Sequence, residues 1–142
     1  MPGPRRPFRT DRRRHRGFTL IELLITCAVA VILLKLAIPS FMDQVRKARR
    51  SDATDAAVAV LQAQERYRAN NPSYAGTLAA IGVGGSTSYY TLALSNVTAT
   101  SYTFAATATA GTTQASDSGC TTLTVAVTNG SAAYTPTTCW RR

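Results

Sequence analysis

The 142-residue chain is poor in histidine and, over its second half, in charge. Its single histidine, His15, lies among arginines near the start, so nothing beyond it offers an imidazole as general base or metal ligand. No metal-ligand spacing of Cys, His and carboxylates occurs either. These absences argue against most hydrolytic and metal chemistry. The chain is read as a non-enzyme with no cofactor and no metal. Residues 71–142 hold only three charged side chains, Asp117, Arg141 and Arg142, amid Thr, Ala, Ser and Gly. A surface so weakly charged and so rich in threonine fits an extracellular setting better than the cytosol. Internal repeats are also lacking.

The formal net charge is +9, which by itself suggests nucleic acid or anionic lipid as a partner. Seven of the sixteen basic residues are arginines within the first 17 positions, opposed only by Asp11. From Phe18 onward nine basic residues face six acidic ones, a net of +3. The basicity therefore belongs mainly to the N-terminal segment. There are three cysteines. Cys27 lies in an apolar run, where a small buried thiol is ordinary. Cys120 and Cys139 lie in the polar half with 18 residues between them. A disulfide is the expected use in an exported protein, worth about 3 kcal/mol for a loop of this size. Two unpaired thiols are the alternative reading.

Residues 1–17, rich in Pro and Arg, are read as a disordered leader. Residues 18–38 form a largely apolar run, long enough to span a bilayer as a helix. The arginines before it outnumber Arg46, Lys47, Arg49 and Arg50 after it, which predicts a cytoplasmic N-terminus. Pro39 is expected to kink the helix without ending it. Beyond it, Val45, Ala48, Asp52, Ala56, Ala59, Val60, Ala63 and Tyr67 recur at steps of three and four, predicting an amphipathic continuation. "ANNPSYAG" is the stop signal. A helix over 18–69 would be roughly 78 Å long, more than one small domain can bury.

The rest reads as β-structure. "SYYTLALS" (88–95), "SYTFAATAT" (101–109) and "TLTVAVT" (122–128) are strand candidates, with alternation clearest at Tyr102, Phe104, Ala106 and at Leu123, Val125, Val127. Asn129-Gly130 is a turn signal leading into "SAAYT". The fold class expected is α+β: a long N-terminal helix whose second half covers one face of a small antiparallel sheet. Residues 71–87 connect the two.

Glu22 stands four residues into the apolar run, where a carboxylate is costly in hydrocarbon. Three plain readings of this region fit poorly. A secretory signal cut after "AVA" (28–30) would leave the apolar run continuing past the cut. A lipoprotein signal at Leu24-Ile25-Thr26-Cys27 would have Thr26 before the cysteine and Glu22 inside its apolar core. A simple membrane anchor gives Glu22 no role.

"GFTLIELL" as a unit resembles the processing site of type IV prepilins and the related pseudopilins. The close resemblance covers about residues 16–41. It implies that a membrane peptidase cuts after Gly17 and that the new N-terminus, Phe18, is methylated. Glu22 then becomes the fifth mature residue and Pro39 the twenty-second, both at the family's usual spacing. The leader is longer than is typical of the family, and Lys35 is unusual so deep in the run, though near enough its end to snorkel. Cleavage creates an ammonium at Phe18. The Glu22 carboxylate of an incoming subunit can pair with the Phe18 amine of a neighbour, setting register in a bundle whose apolar contacts would tolerate sliding. A C-terminal disulfide loop closed by Cys120 and Cys139, followed by Trp140, is similar to small pilins of the PilE-like minor class.

The resemblance implies a structural subunit, more a minor pilin than the main one, with segments 1–17 (cleaved leader), 18–40 (membrane and filament-core helix), 41–70 (amphipathic helix) and 71–142 (loop and β head). Its implied partners are other pilin subunits, the prepilin peptidase, the inner-membrane assembly machinery and the membrane. It would reside in the inner membrane before assembly and in an extracellular pilus for adhesion, twitching motility or DNA uptake afterwards. A pseudopilin of type II secretion is one alternative. The major pseudopilins of that family hold calcium in the head, and this head offers only Asp117. A DNA-binding competence pilin is another. It needs a basic stripe on the head, where Arg141 and Arg142 make a thin one, so nucleic acid is not expected as a partner. "RKARR" (46–50) is read as a solvated or lipid-headgroup face.

Overall fold

A computed structural model describes residues 17–140. One helix, α1 (Leu20–Arg68), is followed by four strands: β1 (Tyr90–Ser95), β2 (Ser101–Ala108), β3 (Thr122–Thr128) and β4 (Ser131–Thr135). This is the expected α+β architecture, with α1 ending one residue before the sequence reading placed its end. The chain divides into two compact units, Met1–Ala37 and Ile38–Arg142.

In the first unit, every described residue from Gly17 onward is exposed. The run satisfies length and composition for a membrane-crossing helix. Leu20, Ile21, Leu24, Ile32 and Leu33 all face outward, and none of the described residues covers them. Pro39, just beyond this unit, lies inside α1, which continues through it.

In the second unit the strands form an antiparallel meander in the order β1-β2-β3-β4. Period-two alternation dictates which side chains go inward. Tyr102, Phe104 and Ala106 of β2 and Leu123, Val125 and Val127 of β3 are buried, as their spacing predicts. Tyr90 and Leu92 of β1 join them. Fully burying one Phe, Leu or Val is worth about 1.5–3 kcal/mol. Asn129 and Gly130 both adopt left-handed φ, 51° and 78°, so the β3–β4 connection is the two-residue turn that Asn-Gly favours.

α1 covers this face with Ala53, Ala57, Val60, Ala63 and Gln64. The buried stripe is therefore rotated from the one expected: Ala48 and Ala59 are exposed, while Ala53, Ala57 and Gln64 are buried. Alanine occupies both sides of the helix here, so small size gave no contrast between faces. Gln64 tolerates burial because Ala75 satisfies its amide, Nε2 donating to the carbonyl at 2.9 Å and Oε1 accepting from the N–H at 2.8 Å. The helix ends where Asn70 and Asn71 donate side-chain amides to the Arg66 and Tyr67 carbonyls, at 3.4 and 2.8 Å. Cys120 and Cys139 form the disulfide, both buried, and Cys27 is free.

Candidate functional site

At the N-terminal end, Thr19 precedes the helix and its Oγ1 accepts the Glu22 N–H at 3.2 Å, while its carbonyl accepts the Leu23 N–H at 3.2 Å. Thr19-Leu20-Ile21-Glu22 thus has the spacing of a capping box, and Glu22 occupies the first turn, where a carboxylate meets the positive end of the helix dipole. Sequence reading explained Glu22 by assembly alone; the T-x-x-E signal for a cap was visible and unused. Gly17 and Phe18 are exposed. A Cβ built on Gly17 would meet nothing within 4 Å among the described residues, so this fold does not itself require glycine there. Lys35 and Cys27 are also exposed.

A second constellation joins α1 to the head. The Arg50 guanidinium donates to both carboxylate oxygens of Asp117, at 2.8 and 2.7 Å. The two side chains are only 14% and 6% exposed, which makes this a buried bidentate pair and not a surface one. Gln114 Nε2 donates to the same carboxylate at 2.7 Å. Arg46 Nε donates to the Thr113 carbonyl at 3.2 Å, and its NH1 pairs with Asp43 at 2.8 Å. Arg49 donates to the Thr113 hydroxyl and lies 4.4 Å over the Tyr89 ring. Three of the arginines expected to form a solvated or lipid-headgroup face therefore hold the short helix at Thr113–Ser116 and its flank. Their partners lie more than sixty residues away, which is why local spacing misread them. The lone acidic residue of the head was the available signal.

The Asp117 pairing pushes the Arg50 guanidinium further up. Burial pushes the Tyr90 hydroxyl up to about 12, with the Asp117 charge adding to it, and burial raises Tyr102 further. Tyr74 rises for the same reason, aided by its 3.0 Å hydrogen bond to Glu65. These tyrosines stay neutral in the fold while their unfolded counterparts ionise near pH 10. The stability they contribute is present below that pH and is lost as pH climbs through the folded values. Ultraviolet tyrosine titration of the detergent-solubilised chain should show part of the six-tyrosine signal appearing late, together with loss of the sheet signal in circular dichroism. A single ionisation near pH 10 with the sheet intact would contradict this.

Residues 12–34 match the prokaryotic N-terminal methylation motif. Residues 39–124, more than half of the chain, match the family described as "Type IV minor pilin ComP, DNA uptake sequence receptor". The chain belongs to this type IV minor pilin family. Relatives of the minor pilin include the type IV wide pilus major component PilA4 of Thermus thermophilus, 32% identical over 63% of this chain and 71% of that protein. The type IV major pilin PilA of Myxococcus xanthus is 38% identical over 43% of the chain and 28% of its own length. The type II secretion system core protein G of Dickeya chrysanthemi is 31% identical over 49% of the chain. The minor pilin spans about half the length of the secretion proteins it matches, 46% for Dickeya. Its helix and four-stranded sheet carry the pilin architecture expected from "GFTLIELL".

Proposed function

We propose that the chain is a precursor of a type IV pilus subunit, cut between Gly17 and Phe18, methylated at Phe18, and assembled with other pilin subunits into a surface filament. The observation that carries this reading is the exposed apolar half of α1, which begins at Leu20 just after Phe18 and has Glu22 in its first turn. Such a surface needs lipid before assembly and neighbouring helices after it. In this reading residues 1–17 are the leader, 18–40 the membrane and filament-core segment, 41–70 the amphipathic half and 71–142 the loop and head. The N-terminus stays cytoplasmic until the inner-membrane machinery extracts the subunit. Glu22 pairs with the Phe18 ammonium of a neighbour, Pro39 bends the helix, and no residue is assigned a catalytic role. Open space around Gly17 supports a glycine requirement set by the peptidase.

N-terminal mass analysis of the mature chain tests the reading. A methylated Phe18 is expected; a mature start at Cys27 or Val31 would sink it in favour of a lipoprotein or secreted protein. The same processing would also serve a secretion pseudopilus, the setting named for the core protein G relatives.

The family description favours a second reading, a receptor for DNA during uptake. Residues 71–140 carry no Lys or Arg, and Arg46, Arg49, Arg50 and Arg68 are engaged in contacts with acceptors. Lys35, Lys47 and Arg66 are the exposed basic side chains left on α1 among the described residues, and Lys35 lies within the apolar run. Gel-shift binding of duplex DNA that falls in Lys47→Ala and Arg66→Ala would support this reading.

A further inference from the structure

The sheet has two edges, and the chain itself covers the first half of one of them. Along β1, the Thr87 N–H donates to the Tyr90 carbonyl at 2.7 Å, the Leu92 N–H donates to Gly85 at 2.8 Å, and Ser86 bridges Thr91. Among the described residues β4 has no backbone cover of this kind, although Trp140 packs edge-on against Tyr134 at 5.0 Å and donates its ring N–H to the Thr135 carbonyl at 3.3 Å. Its two-residue turn makes Thr128 and Ser131 the first hydrogen-bonded pair, and strict alternation follows. Ser131, Ala133 and Thr135 therefore direct their backbone groups to β3, whereas Ala132 and Tyr134 direct theirs outward. Among the described residues no partner meets those outward groups. Within its five residues the strand has no charge, no proline and no bulge, so only its shortness and the Pro136 that follows it limit pairing along this edge.

Beneath the turn end of this edge, between sheet and helix, lies a groove of about 470 Å³. Leu61, Tyr102, Val127 and Ala132 give it an apolar wall, and Glu65 and Arg66 stand on its helix side. The buried Tyr102 hydroxyl has no hydrogen-bond partner. Glu65 already accepts from Tyr74 at 3.0 Å, while the exposed Arg66 has no ion pair among the described residues.

We propose that the β4 edge and this groove dock an extended segment donated by a different protein. The segment is uncharged where it pairs with Ala132 and Tyr134, places a small apolar side chain in the groove, and carries one acidic residue beside Arg66. Free backbone donors and acceptors in strand geometry specify a peptide partner. The Arg66 guanidinium, which has no ion pair among the described residues while Glu65 beside it is bonded to Tyr74, specifies the sign of its one charge. A second copy fits less well: pairing β4 with β4 relates the copies by a two-fold and closes a pair, and the complementary edge at β1 is covered over Tyr90–Leu92, half its length. Setting the second copy aside rests on the filament reading above; the docking edge itself does not.

The probe is a synthetic eight-residue peptide of alternating Thr and Val with a terminal Asp, added to the full-length mature chain in detergent. Amide exchange at Ala132 and Tyr134 should slow by at least about tenfold on binding, with little change at Ala133. Ala132→Pro removes one outward N–H without touching the ladder to β3 and should abolish binding at unchanged thermal stability. If proline disturbs the hairpin, seen as lost protection at Ala133, Ala132→Glu sets a like charge against the peptide's aspartate and should give the same loss. Replacing that aspartate by lysine should weaken binding several-fold. Binding that persists in Ala132→Glu, or no slowing at Ala132 and Tyr134 at millimolar peptide, overturns the proposal. Slowing that depends on protein concentration without peptide overturns it in favour of a second copy. None of these outcomes touches cleavage after Gly17, so the filament reading stands or falls separately.

Discussion

Asp117→Ala should destabilise the head by about 1.5–3 kcal/mol, because it leaves the largely covered Arg50 guanidinium without its carboxylate. Asp117 accepts from Arg50 twice and from Gln114 once, so its loss leaves three donors without their acceptor. Gln114 is fully buried and cannot turn to water for a substitute. The Thr113–Ser116 turn, held by the same arginines, should loosen with it. Urea denaturation of the full-length chain in detergent, followed by the sheet signal, gives the measurement. A double change, Arg50→Met with Asp117→Leu, should recover most of the loss, since a buried pair replaced as a whole by apolar side chains is often near neutral. A loss under about 1 kcal/mol in Asp117→Ala would mean that the pair behaves as a solvated surface bridge.

Glu22→Gln should leave membrane accumulation and cleavage intact and strongly reduce incorporation into filaments. Glutamine is as acceptable as glutamate at the third position of a capping box, so the local helix start formed with Thr19 is kept. Only the charge is removed. Glu22→Ala should behave the same way in filaments, with a further small effect on the helix start of about 0.3–1 kcal/mol. Sheared filaments and membrane fractions, compared at matched expression, read the two effects separately. Equal incorporation of Glu22→Gln would show that the carboxylate acts through capping alone. Loss from the membrane in either variant would indicate an insertion defect instead.

The strands were legible because their chemistry alternates. β3 and β4 coincide with "TLTVAVT" and "SAAYT", and β2 departs by one residue at its end. β1 begins two residues later than "SYYTLALS" suggested, since Ser88 and Tyr89 belong to the turn in which Thr87 Oγ1 accepts the Tyr89 and Tyr90 N–H groups. The helix was legible in extent but not in orientation. Ala53, Ala56, Ala57, Ala59 and Ala63 look alike to any periodicity count, and only contact with the sheet sorts them. Arg46, Arg49 and Arg50 misled for another reason. A charge run is usually solvated, and nothing local announces a buried acceptor at Asp117. The N-terminal motif was readable because its chemistry is contiguous: Gly17, Phe18 and Glu22 lie within six positions.

The clamp between α1 and the head also bears on the order in which the molecule acquires its structure. Each strand pairs with its immediate neighbour in sequence, so the meander is built from local closures and can form by itself once β4 is present. Arg50 and Asp117 are 67 positions apart, and the clamp closes one of the longest loops in the chain. Closing this clamp therefore costs more loop entropy than any strand pairing, and the inner face of the sheet is covered only when the helix is docked. With the helix undocked, Tyr102, Phe104, Leu123 and Val125 would lie open to aggregation and proteases, so weakening the clamp should show as faster proteolysis of the head.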